Sequence, residues 1–175
     1  MKTMDAIECL LKRRSVKKYK PDQIPEEILD QILECGTYAA NGRGAQSAKM
    51  VVIQDRETIE TLERMNADIM GAHGVHTFYG APTVILVLAD KTKGTYIEDG
   101  SLVLGNLMNA AWALGVDSCW IHRAKEEMES PEGQALLAKW GITGEYTGIG
   151  HCILGYADGP VPQAKPRKAD YIVRV

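Results

Sequence analysis

The residues of this chain best suited to chemistry are cations. Arg13, Arg14, Ser15, Val16, Lys17 and Lys18 follow one another after a short amphipathic stretch. Arginine forks match phosphate oxygens in pairs and lysine adds a point charge, so a cluster of this kind can converge on an anion. Taken alone, it reads more readily as the solvated basic end of a helix. A second basic group, Lys165, Pro166, Arg167 and Lys168, stands near the other end of the chain on a proline-stiffened segment. The chain as a whole carries 20 Lys and Arg against 23 Asp and Glu, a formal net charge of −3. That balance argues against nucleic acid or an anionic membrane surface as a partner. Against an acidic surplus, two basic clusters at opposite ends are consistent with one shared phosphate site.

Other reactive residue types form weaker patterns. His73 and His76 make an H-x-x-H pair in a segment full of helix breakers, with no third ligand at a suggestive spacing, so no metal site is expected. Gly148, Ile149 and Gly150 lack the third glycine of a dinucleotide fingerprint and lead into a strand rather than out of one. Cys152 beside His151 suggests an activated thiol, but adjacent residues on a strand point to opposite faces. Cys9, Cys35, Cys119 and Cys152 are too widely spaced for a CxxC pair or a disulfide framework. Reduced thiols and the absence of an apolar leader or of a run of roughly 20 apolar residues give the expectation of a cytoplasmic protein.

The elements that must position these residues are legible in outline. Ile7, Leu10 and Leu11 predict a helix over 3–13, capped by Thr3 and ending in the two arginines. Pro25 opens a second helix with Ile28, Leu29, Ile32 and Leu33 on one face, weakened near its end by Gly36. Residues 41–44 read as a loop and 50–53 as a strand. Asp55 caps a helix carried by Ile59, Leu62, Met65 and Ile69. Residues 83–89 are continuously apolar, as in a central strand covered on both faces. Leu102, Leu104, Leu107, Met108, Ala111 and Trp112 predict a helix over 97–114 buried almost all round and ended by Gly115. Strands are expected over 116–121 and 149–154, a helix over 133–140 and an end strand over 171–175. At 175 residues and 45% hydrophobic composition, the sum is one α+β domain with a central mixed or antiparallel sheet of about four or five strands flanked by helices.

Read together, Arg13 to Tyr19, the Gly/Asn/Gln loop before a strand, Gly80-Ala81-Pro82 before the central strand, and Lys165-Pro166-Arg167 resemble the nitroreductase family of FMN enzymes. The resemblance runs across nearly the whole of 1–175 and extends to the long helix and following strand between Asp99 and Trp120. It implies a nitroreductase-like fold with FMN at a homodimer interface, each flavin touched by both chains. Arg13, Arg14, Ser15 and Arg167 would hold the phosphate and ribityl chain, with Lys165 adding charge, and Lys17 would approach the pyrimidine edge, where a cation favours electron-rich flavin. Asn41 and Gln46 would reach the flavin of the partner chain. Cys119, Trp120, Ile121 and His122 would pass it chiefly with backbone amides. The chain departs from the family pattern in this loop: Gly44 stands where the family has Asn, and Ser47-Ala48 replaces Pro-Trp.

The function implied is an FMN-dependent oxidoreductase that passes electrons from NADH or NADPH to nitroaromatic, quinone or similar small-molecule acceptors by a ping-pong route. No protein side chain is then needed as the catalytic group, since the flavin carries the chemistry. The alternatives are a non-catalytic FMN carrier or storage protein, an oxidase or dehalogenase branch of the same family, and a cysteine hydrolase using Cys152 or Cys119.

Overall fold

The computed structural model describes residues 5–175. Four strands form one sheet in the order β1-β2-β4-β3, from β1 (Ala48–Ile53), β2 (Thr83–Asp90), β3 (Asp117–Ile121) and β4 (Tyr146–Gly155). Every pairing is antiparallel. The helices are α1 (Ala6–Lys12), α2 (Glu26–Thr37), α3 (Arg56–Ile69), α4 (Tyr96–Ala113), α5 (Ala124–Glu129) and α6 (Pro131–Lys139). None of them is long and apolar enough to cross a membrane.

β2 explains the layering. Its side chains alternate as strand geometry requires, sending Val84, Leu86 and Leu88 into one core and Ile85, Val87 and Ala89 into the other. Leu62 and Met65 of α3, Met128 of α5 and Leu137 of α6 close the first core. Leu29 and Ile32 of α2, with Leu104, Leu107 and Ala111 of α4, close the second. The sheet therefore has helices on both faces although it is antiparallel, which is why β2 reads as unbroken apolar sequence.

Several local expectations change. α1 is shorter than 3–13; Thr3 lies outside the described residues, and the helix is capped by Asp5, whose carboxylate accepts from the N–H groups of Ile7 and Glu8. Gly36 does more than weaken α2. A Cβ there would stand 2.8 Å from Met50 Sδ and 2.9 Å from a Leu107 methyl, so the glycine lets three elements approach closely. α4 is buried along one side only, leaving Ile97 and Leu102 exposed. α5 has no counterpart in the sequence reading, and α6 starts at Pro131 with Ser130 as its cap. Residues 171–175 add no strand to the sheet; Tyr171, Ile172, Val173 and Val175 stand in the open.

Candidate functional site

α1 ends at Lys12, and Arg13 to Lys17 then run against β3. Ser15 bridges Ser118 in parallel, and Val16 N–H donates to the Ser118 carbonyl at 3.1 Å. Buried Val16 anchors this segment while Ser15 and Lys17 stay exposed on either side of it. Three of the predicted residues gather around the buried thiol of Cys119. Burial pushes that thiol up, while the Ser15 hydroxyl and the charges of Lys17 and Arg13 pull it back. Lys17 also places its ammonium 5.8 Å from the centre of the Tyr79 ring.

The two arginines differ. Arg14 Nη1 donates to the carbonyls of Leu11 and Arg13 at 2.8 and 2.7 Å, so it caps its own helix. Arg13 Nη1 is buried and has no hydrogen-bond partner among the described residues. A buried guanidinium donor without an acceptor is costly, and an anionic ligand would satisfy it. This orphaned donor, with Ser15 and Lys17 beside it, fits a phosphate.

Asn41 and Gln46 belong to a separate corner. Asn41 Oδ1 accepts from Gln46 N–H at 2.9 Å, and its Nδ2 donates to the Ala39 carbonyl at 3.2 Å. The corner is fixed from α4 by buried Asp99, which accepts from Gly42 N–H at 2.9 Å, Ser47 Oγ at 2.6 Å and Thr95 Oγ1 at 3.2 Å. Burial would raise the Asp99 carboxyl, but these hydrogen bonds outweigh it and hold the group below its ordinary value. Asn41 and Gln46 line a cavity of about 150 Å³ with Gly36, Met50 and Asp99. Lys165 and Arg167 lie on the exposed tail, where the Arg167 guanidinium folds onto the Lys165 carbonyl at 2.6 Å. Among the described residues, no hydrogen bond or ion pair joins either group to the Arg13 cluster.

On β3, Cys119 and Ile121 point into one core and Trp120 packs against the other, beside Gly150; His122 is exposed. The side chains of Cys119, Trp120 and Ile121 are thus committed to packing. The tempting Cys152 is fully buried in the α4 core, its thiol pushed up by burial, while His151 packs on Phe78 on the opposite face with ring centroids 5.1 Å apart. His73 and His76 turn to separate carboxylates, Asp68 at 2.6 Å and Glu63 at 3.0 Å. A larger cavity, about 600 Å³, opens between α3 and the segment before β2, and no predicted site residue lines it. The reading from sequence passed over Tyr79 and a buried set formed by Asn66, Glu127 and His151. A tyrosine before Gly80 at the mouth of a strand was the available signal for the first. Nothing in local sequence pointed to the second.

Comparison with known proteins identifies the family and the fold. Residues 10–156 match the model of the nitroreductase family. A nitroreductase with bound FMN from Bacteroides fragilis is 28% identical and superposes with a TM-score of 0.90, covering 99% of this chain and 100% of that one. NADH dehydrogenase of Thermus thermophilus is 27% identical over 165 residues, 91% of this chain and 73% of that protein. A Methanothermobacter thermautotrophicus protein provisionally named NADH dehydrogenase/NAD(P)H nitroreductase is 29% identical over 121 residues, 67% of this chain; the match spans 60% of its length.

Proposed function

The chain belongs to the nitroreductase family, and on that premise we propose that it is an FMN-dependent oxidoreductase passing electrons from NADH or NADPH to nitroaromatic, quinone or similar acceptors. The observation that carries this reading is the buried, unpartnered Nη1 of Arg13 in the short segment after α1 that also carries Ser15 and Lys17. FMN, when bound, would supply the redox chemistry between the nicotinamide donor and the acceptor. The chain supplies position and charge. Arg13 and Ser15 hold the phosphate, with Arg14 adding charge as it caps α1. Lys17, whose ammonium stands 5.8 Å from the centre of the Tyr79 ring, would bring a cation to the flavin, and the end of β3 would border it with backbone.

We further propose that the working unit is a homodimer. Three exposed apolar side chains of α1, Ile7, Leu10 and Leu11, at 60 to 70% exposure, support this, as do Ile97 and Leu102 of α4. A surface of this kind on a short helix is uncommon unless a partner covers it. β1 stands at a sheet edge, and the exposed segment 171–175 has the composition of a strand without a neighbour. A partner's tail on that edge would bring Lys165 and Arg167, and the Asn41 corner, to a shared flavin site.

The test is the visible spectrum of the purified protein followed by anaerobic mixing with NADH or NADPH. Flavin bands that bleach on mixing are expected. Bands that persist would make the protein a flavin carrier, and no bands at all would overturn the FMN reading.

A further inference from the structure

We infer that Asn66 is a positioning residue, which, backed by Glu127 and His151, aims the backbone N–H of Arg123 at the bound flavin; the inference rests on the FMN reading above. Asn66, Glu127 and His151 are each fully buried. Glu127 Oε2 lies 2.6 Å from His151 Nε2, and Glu127 Oε1 accepts from Asn66 Nδ2. The same Asn66 nitrogen donates to the His122 carbonyl at 2.6 Å. An amide nitrogen has two hydrogens, so one side chain serves both acceptors.

The consequence falls on the turn after β3. Arg123 N–H and the His122 carbonyl share a peptide plane, and in a trans peptide the two point in opposite directions. Pulling the His122 carbonyl inward to Asn66 therefore turns the Arg123 N–H outward. No described residue accepts from it. The next carbonyl, that of Arg123, is held in turn by Glu127 N–H at 3.0 Å. Between these two anchors Arg123 takes φ 79° and ψ 5°, a left-handed conformation that a non-glycine residue holds only when its surroundings impose it.

The position of this turn favours a role in the site over a purely structural one. The turn sits at the far end of the strand whose Ser118 bridges Ser15. Arg123 lies five residues on from Ser118, at most about 17 Å along an extended chain, so the phosphate-facing cluster and the free amide would border opposite ends of one elongated site.

The test uses the FMN-loaded protein and two readouts besides activity. In the wild type, the Arg123 amide is followed by ¹⁵N NMR in oxidised and reduced states; a large shift between the states and slow exchange with solvent are expected. In Asn66→Ala, the flavin midpoint potential is expected to fall, because a donor favouring the electron-rich ring is lost, and reduction to slow by about tenfold or more. An Arg123 amide that exchanges freely and ignores the redox state overturns the inference even if Asn66→Ala does not fold. So does an Asn66→Ala protein with a lower Tm and an unchanged potential. A wild type without flavin bands overturns the FMN reading itself, and this inference with it.

Discussion

Asp99 Oδ2 lies 2.6 Å from Ser47 Oγ, a hydrogen bond from the first turn of α4 to the residue just before β1 that is sealed from solvent. With the Gly42 N–H on the other carboxylate oxygen, it holds the loop carrying Asn41 and Gln46. Asp99→Ala leaves these buried donors unsatisfied and is expected to cost about 1.5 to 3 kcal/mol, read by urea denaturation.

The same carboxylate gives a pH dependence. Its folded pKa is depressed, so its contribution is complete above the ordinary value of 3.8 and is lost as pH falls below that value through the lower folded one. The acid limb of the wild-type stability curve should therefore be steeper than that of Asp99→Asn, measured by urea unfolding between about pH 2 and 5.

Two glycines separate close approach to side chain from close approach to backbone. At Gly36 an added methyl meets Met50 and Leu107 side chains, which can give way, so Gly36→Ala should cost about 1 to 3 kcal/mol. At Gly148 it would stand 2.1 Å from the Ala124 carbonyl oxygen, which cannot. Gly148→Ala should be the more damaging of the two, by midpoint of denaturation.

His76 faces Glu63, whose other oxygen accepts from Phe78 N–H at 2.7 Å. The hydrogen bond and charge of Glu63 raise the His76 pKa above its ordinary 6.5. A raised folded pKa stabilises fully below 6.5 and loses its effect as pH climbs through the folded value. The Phe78 amide should accordingly show a higher hydrogen-exchange protection factor near pH 6 than near pH 8, and Glu63→Gln should abolish the difference.

Homodimer formation through α1 predicts that Leu10→Glu yields a monomer in sedimentation. The wild type should sediment as a dimer with FMN bound; a flavin-loaded wild-type monomer would refute the shared-site arrangement.

Elements with a cap and a period were open to sequence reasoning. Asp55 accepting from Thr58 N–H at the head of α3 and the alternating burial of β2 follow from residue types alone. α5 was not, because six residues dominated by Lys and Glu look like solvated surface, whereas Glu127 is its buried anchor and Gly133 lets α6 lie against it. Residues 171–175 have strand composition but no neighbour in their own sheet, and composition carries no information about pairing. Arg13, Ser15 and Lys17 were visible as a run of cations and a hydroxyl; which arginine is spent on a helix end and which remains unpaired depends on where the chain turns after Lys12. Asn66, Glu127 and His151 come from three distant elements, and polar residues so far apart read as surface until folding joins them.

In the proposed function the Arg13 cluster holds the FMN phosphate. The most direct test of that role compares the binding of FMN and riboflavin, which lacks the phosphate, to the wild type and to Arg13→Ala. The substitution should weaken FMN by about 1.5 to 3 kcal/mol, the worth of a charge-assisted hydrogen bond, and leave riboflavin nearly unaffected. Equal losses for both ligands, or none for FMN, would contradict it.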